Sequence, residues 1–315
     1  MSTIRAIGFD LGETLIFYRG IPMNWAAHYP DALAAVAAAL KFSPSAAQFA
    51  EAQEILLKYN TRIVPRTHEM PAKLIFVQIY DRWGIDPSKD VAIGIKAFFS
   101  FFQQDVCSYP DAAPALVQLR QCGLPVGLLT DVPYGMPTEF VKSDLTRAGL
   151  ADFFDALVTS VDVGYRKPEV AGFLKLSEKL RVRPKELLYI GNEPKDIQGA
   201  KAAGAQSALI DRDNASPDYG QDHTIRSLEE LLNLITNLTW LDQMDYSETT
   251  SSCIRIPRLA RQSGDTKGVE ALSPGLPDSE RATPGRKAVP PIIFARSAAS
   301  KASISHPPDQ CGLLI

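Results

Sequence analysis

Five short apolar runs punctuate the chain: Ile4–Phe9, Val126–Leu129, Ala156–Val158, Glu186–Ile190 and Ser207–Ile210. They are nearly continuous in their apolar residues, as expected of strands buried on both faces. Stretches with helical spacing precede and separate the last four, at Ala115–Arg120, Pro137–Ala148, Ala171–Leu180 and Lys195–Ala203. Strands alternating with helices of this length imply right-handed crossovers and a mostly parallel sheet covered on both sides. The predicted fold is therefore a doubly wound α/β domain.

Residues 20–105 break the alternation. "DALAAVAAALKF", "SAAQFAEAQEILLKYN" and "PAKLIFVQIYDRW" carry apolar residues at i, i+3, i+4 spacing and few strand signals. Three or four helices inserted after the first strand would form a small helical subdomain, with Phe98–Phe99 and Phe101–Phe102 in its core. The predicted layout is an α/β core over 1–19 and 106–244, a helical insert over 20–105, and a tail over 245–315. That tail holds eight of the 23 prolines and no sustained periodicity. Such a composition cannot bury enough apolar surface to offset the entropy of ordering, so the tail is expected to be disordered.

With 315 residues, 45% of them hydrophobic, the chain has ample material for a core. A net charge of −3 and no basic block give no reason to expect a nucleic-acid partner. "MSTIRAIGFD" lacks the features of a signal peptide, and no apolar run approaches the roughly 18 residues of a membrane span. Cys107, Cys122, Cys253 and Cys311 are scattered without paired spacing, which suits reduced thiols in a cytoplasmic protein.

Ligands of open parallel sheets bind beyond the carboxyl ends of the strands. At those ends stand Asp10, then Thr130 with Asp131, then Lys167 in "VDVGYRKPE", then Asn192, Glu193 and Asp196 in "GNEPKD". A lone aspartate there is usually a helix cap. Four such groups at matching edges point to a site. In the insert, "YNTRIVPRTHEM" places Arg62, Arg66, His68 and Glu69 between two helices, either as a loop that reads a substrate or as a solvated connection. His28 and His223 have no partner pattern and are expected at the surface.

The order and spacing resemble the haloacid dehalogenase-like (HAD) hydrolase superfamily. "FDLGETL" is similar to its first motif, "LLTD" to its second, "RKP" to its third and "IGNEPKDIQGAKAAG" to its fourth, over roughly residues 4–215. The resemblance implies a Rossmann-like core with a cap between the first two motifs. It also implies a phosphatase for a small phosphorylated metabolite, with Asp10 as nucleophile forming an aspartyl-phosphate. Thr130 and Lys167 would bind and neutralise the phosphoryl group, while Thr14 would cap the turn after the nucleophile. Mg²⁺ would be held by Asp10, the backbone carbonyl of Gly12 and the fourth-motif acids. Asp196 matches one of those acids. Asn192 stands where the other is usually aspartate, and Glu193 is a neighbouring candidate ligand.

One departure is chemical. The family's phosphatases usually carry a second aspartate two residues after the first, to protonate the leaving group. Here that residue is Gly12, which favours substrates whose leaving groups need little protonation. A metal-independent haloacid dehalogenase, which needs no acid at position 12, and a catalytically weakened binding module are the competing expectations.

Overall fold

A computed structural model describes residues 3–243 of the protein. The chain enters through β1 (Ala6–Phe9), buried throughout, and turns tightly into β2 (Ile16–Tyr18). Four helices follow: α1 (Tyr29–Ala39), α2 (Ala46–Tyr59), α3 (Ala72–Trp83) and α4 (Pro87–Phe102). The chain returns through β3 (Val106–Ser108) to α5 (Ala112–Gln121), β4 (Val126–Thr130) and α6 (Thr138–Arg147). Next come β5 (Ala156–Thr159), the short α7 (Ser160–Val163), α8 (Ala171–Lys179) and β6 (Leu187–Gly191). The described residues end with α9 (Pro194–Ala202), β7 (Gln206–Ile210), β8 (His223–Ile225) and α10 (Leu231–Gln243).

The main sheet has the order β5-β4-β1-β6-β7-β8, and every neighbouring pair is parallel. This is the doubly wound sheet expected from the apolar runs. Side chains alternate across it: Ile7 and Phe9 enter one buried cluster, while Ala6 enters the cluster on the opposite face with Phe173 and Leu176. Strand β1 is the switch point, flanked by β4 and β6, and Phe9 lies opposite both Leu128 and Ile190. Asp10, Thr130 and Asn192 consequently leave the sheet at one edge.

The short β2 and β3 pair antiparallel, with Phe17 opposite Cys107, and this ribbon carries the chain into and out of the four helices. Neither strand was anticipated, nor was β8. Each has three residues and is only partly buried, which leaves no readable periodicity.

The helical insert shares its core with one face of the sheet. Phe98, Phe99 and Phe102 are buried as expected, and Phe101 packs partly buried against them. Trp25 stacks on Phe102 with ring centroids 3.8 Å apart, and Tyr134, from the loop after β4, meets Phe98 edge-on at 5.6 Å. Such pairs are worth about 0.5–1.5 kcal/mol each beyond their burial. The approach is tightest at Gly135, whose φ is +61°. A Cβ there would lie 1.9 Å from the Met70 carbonyl oxygen, so only glycine permits this contact.

No helix among the described residues is long and apolar enough to cross a membrane. The tail expected to be disordered, with Cys253 and Cys311, lies outside the described residues.

Candidate active site

Asp10 follows β1 directly, and its N–H donates to the Ile190 carbonyl of β6 at 2.8 Å. Beyond it the loop folds on itself, with the N–H groups of Leu15 and Ile16 donating to the Leu11 carbonyl at 2.9 and 3.1 Å. Glu13 adopts φ +58° within this turn. Its carboxylate accepts from the Tyr109 hydroxyl at 2.7 Å.

Lys167 is the hub. Its buried ammonium donates to Asp10 Oδ1 at 2.6 Å, lies 2.6 Å from Asp196 Oδ1, and donates to the Tyr189 hydroxyl at 3.2 Å. Tyr189 in turn donates to the Leu129 carbonyl at 2.8 Å, which fixes the hub against β4. The Lys167 N–H donates to Asp131 Oδ1 at 3.0 Å. Burial opposes charge on Lys167, but Asp10 and Asp196 outweigh it and hold the ammonium protonated, well above the ordinary lysine value. Burial pushes the Asp10 carboxyl up, Lys167 draws it down and Asp196 raises it again; it settles at about 7.

Asp196 lies fully buried in the first turn of α9, and its Oδ2 accepts the N–H groups of Asn192 and Glu193 at 3.1 and 2.9 Å. Asn192 Oδ1 accepts from the Thr14 hydroxyl at 3.3 Å. Thr130 is buried beside Asp10 at the end of β4.

The structure brings Arg62 to this cluster and leaves Arg66 one step away. Both terminal guanidinium nitrogens of Arg62 donate to Glu193, which also meets Lys195 at 2.9 Å. Although burial pushes Glu193 up, Arg62 and Lys195 prevail and lower its carboxyl to about 2. Lys195 reaches Asp131 Oδ2 at 3.3 Å. Arg66 instead donates to the Tyr59 carbonyl at 2.7 Å and meets Glu69 at 3.4 Å. The buried Glu69 pairs with Arg166 and accepts from the Ser160 hydroxyl at 2.5 Å, stitching the insert to the core. His68 contacts Tyr165 with ring centroids 5.0 Å apart.

The cluster is electrically balanced. Arg62, Arg66, Arg166, Lys167 and Lys195 are all paired, against Asp10, Glu69, Asp131, Glu193 and Asp196. Sequence reasoning missed Tyr189, Lys195 and the Glu69–Arg166 pair. The arginine directly before Lys167 was the one local signal for the last.

A second brace holds the loop after Asp10 from outside. Arg212 grips Asp111 with two bonds of 2.9 and 3.0 Å and donates to the Thr14 carbonyl at 2.8 Å. Partial burial raises the Asp111 carboxyl, but Arg212 and the Leu228 N–H prevail and leave it below the ordinary value. A carboxylate depressed on folding stabilises the protein above its unfolded pKa, and that stabilisation is lost as pH falls through the folded value. Asp111→Asn is therefore expected to lower Tm at pH 7, by about 1–3 kcal/mol of stability. The deficit should shrink as both proteins are melted at pH values progressively below about 4.

A family model of the haloacid dehalogenase-like hydrolases matches residues 4–204. The chain belongs to that family. The glyceraldehyde 3-phosphate phosphatase of Methanopyrus kandleri is 29% identical over 244 residues, spanning 75% of this chain and 98% of its own. The ribulose-1,5-bisphosphate 5-phosphatase of Halopiger xanaduensis is 28% identical over 244 residues, 73% of this chain and 99% of its own. The crystal structure of a HAD phosphatase from Thermococcus onnurineus superposes with a TM-score of 0.52 at 26% identity, covering 74% of this chain and 98% of that one.

In this haloacid dehalogenase-like hydrolase, position 12 is spacious as well as bare. A Cβ built on Gly12 would meet nothing within 4 Å, and its φ lies outside the left-handed region.

Proposed function

We propose that the protein is a magnesium-dependent phosphoric monoester hydrolase acting in the cytoplasm on a small phosphorylated metabolite, through an aspartyl-phosphate. The observation that carries this reading is the Lys167 ammonium set 2.6 Å from both Asp10 and Asp196 at the carboxyl edge of the sheet. The phosphatases named above, similar over nearly their whole length, support it. The free thiols of Cys107 and Cys122 suit a reducing compartment.

Lys167 engages Oδ1 of Asp10, which leaves Oδ2 to attack phosphorus. The bond from phosphorus to the organic oxygen breaks, that oxygen leaves with the electron pair, and the phosphoryl group rests on Asp10. Water then attacks phosphorus, the Asp10–phosphorus bond breaks, and the carboxylate and inorganic phosphate are regenerated. Two displacements replace one difficult one. Lys167 and the Thr130 hydroxyl stabilise the charge that develops on the phosphoryl oxygens.

Mg²⁺ takes oxygen ligands and keeps several waters. Asp10, Asp196, the Gly12 carbonyl and the Asn192 amide oxygen make up such a donor set, while Glu193 is engaged by Arg62 and Lys195. Among the described residues, no three acidic, histidine or cysteine side chains form a ready cage. Binding should accordingly be weaker than with a full acidic loop. The balanced cluster nonetheless fits a divalent cation, because a phosphate dianion entering alone would bring two uncompensated charges. When bound, Mg²⁺ would neutralise the phosphate and polarise its oxygens.

The test is hydrolysis of p-nitrophenyl phosphate by the full chain, with Mg²⁺ and with excess chelator. Chelation is expected to remove at least about 100-fold of the turnover, restored on adding Mg²⁺. Turnover that survives chelation would overturn the metal dependence. A folded chain inert with Mg²⁺ would overturn the phosphatase reading.

A further inference from the structure

We infer that the organic part of the substrate is a compact, uncharged and mainly apolar group on a weakly basic leaving oxygen, as in an aryl phosphate monoester. Bisphosphates, phosphorylated carboxylates and sugar phosphates fit poorly. This rests on the phosphatase reading of the Asp10 site and narrows it.

A cavity of about 120 Å³ opens from Asp10 and Thr130 toward the helical insert. That volume is on the scale of a single ring, since roughly 150 Å³ of dry cavity holds benzene. Its far wall is apolar, formed by Ile16, Phe17, Trp25, Val132, Met136 and Val141.

Several polar side chains along the cavity already have partners. Tyr18 donates to Asp144 at 2.5 Å, and the Tyr134 hydroxyl is bonded to that of Tyr29. The Asn60 amide donates to Asn24 at 2.8 Å and to Tyr29 at 2.9 Å, while its oxygen accepts the Arg62 N–H at 2.9 Å. The several hydroxyls of a sugar entering here would give up more water contacts than the few free groups of the lining return.

Charge narrows the choice further. The cations lining the cavity are Arg62, Arg166 and Lys195, and each is already paired with a carboxylate. A second phosphate or a carboxylate on the substrate would therefore meet no uncommitted cation among the lining residues. Leaving-group chemistry points the same way. Gly12 supplies no proton, and Glu13 beside it is turned to Tyr109. The departing oxygen must carry its own negative charge, which an aryl oxide does far better than an alkoxide.

The experiment compares kcat/KM, with Mg²⁺, for phenyl phosphate, 4-carboxyphenyl phosphate and ribulose 1,5-bisphosphate. The two aryl esters differ by one ring carboxylate, which makes the carboxylated phenol the slightly better leaving group, so a preference for phenyl phosphate reports the charge of the organic group. Phenyl phosphate is expected to be preferred by roughly 10²-fold over its carboxylated analogue, and by more over the bisphosphate. Met23 lies on the cavity rim at 43% exposure, with its sulfur 3.8 Å from an Arg62 guanidinium nitrogen. Met23→Lys should narrow the aryl ratio about tenfold by giving the carboxylate a counter-ion. Equal or better turnover of either anionic substrate overturns the inference and leaves the phosphatase reading standing. An unchanged ratio in Met23→Lys overturns the assignment of the organic group to this cavity. If a folded enzyme hydrolyses none of the three, the phosphatase reading fails and the inference with it.

Discussion

Gly12→Asp is expected to raise the turnover of alkyl monophosphates by about 10²–10⁴-fold, the usual worth of a well-placed general acid. The substitution is permitted sterically, because a Cβ at position 12 meets nothing within 4 Å and the backbone there is not left-handed. Glu13 leaves the role vacant, with its carboxylate 2.7 Å from the Tyr109 hydroxyl. Aryl esters, whose leaving oxygen needs no proton, should gain little. The readout is the slope of log kcat/KM against leaving-group pKa across an aryl and alkyl series, steep in the natural chain and flattened in the variant. A uniform gain on every ester would mean that position 12 acts on binding and not on proton transfer.

Asp10→Asn should have the opposite effect, lowering turnover by at least about 10⁴-fold, since an amide oxygen does not form the phosphoryl bond. The fold should survive and gain stability in metal-free buffer. Two carboxylates share one ammonium at the hub, and asparagine keeps the shape while leaving Lys167 paired with Asp196. The sign with pH follows from the Asp10 carboxyl, raised on folding from 3.8 to about 7. A raised carboxyl makes the ionised form costly in the folded state, so its penalty is absent below about pH 4, grows toward pH 7 and then levels off. Melting in chelator should therefore show the Tm of Asp10→Asn pulling ahead of the natural chain across that window, to the order of a few kcal/mol. A variant that melts lower at pH 8 would show that Lys167 needs the Asp10 carboxylate as a structural partner.

What could be read from the sequence divides along a physical line. Strands β1 and β4 to β7 announced themselves because a strand buried on both faces must be apolar at almost every position. The strand-end residues Asp10, Thr130, Lys167 and Asp196 were legible for a related reason, being polar groups placed where an apolar run stops. The braces were not legible. Arg62 and Glu193 lie 131 positions apart, Glu69 and Arg166 lie 97, and Asp111 and Arg212 lie 101. No local periodicity encodes partners at such separations. The loop from Tyr59 to Met70 shows the difference well. Its charges left a substrate-reading loop and a solvated connection both open, whereas three dimensions tie Arg62 and Glu69 to the core.

The β2–β3 ribbon sets the architecture's capacity to change. Because Phe17 lies opposite Cys107, the chain leaves the sheet domain and re-enters it at neighbouring points. Everything between behaves topologically as a cassette, whose length and sequence can drift without moving Asp10, Thr130, Lys167 or Asp196. Exchange is limited by the core that the insert shares with the sheet, by Gly135 against Met70, and by the Glu69 and Arg62 ties to the core. A donor helical module that preserves those contacts could be grafted at the ribbon to give the same chemistry a different appetite.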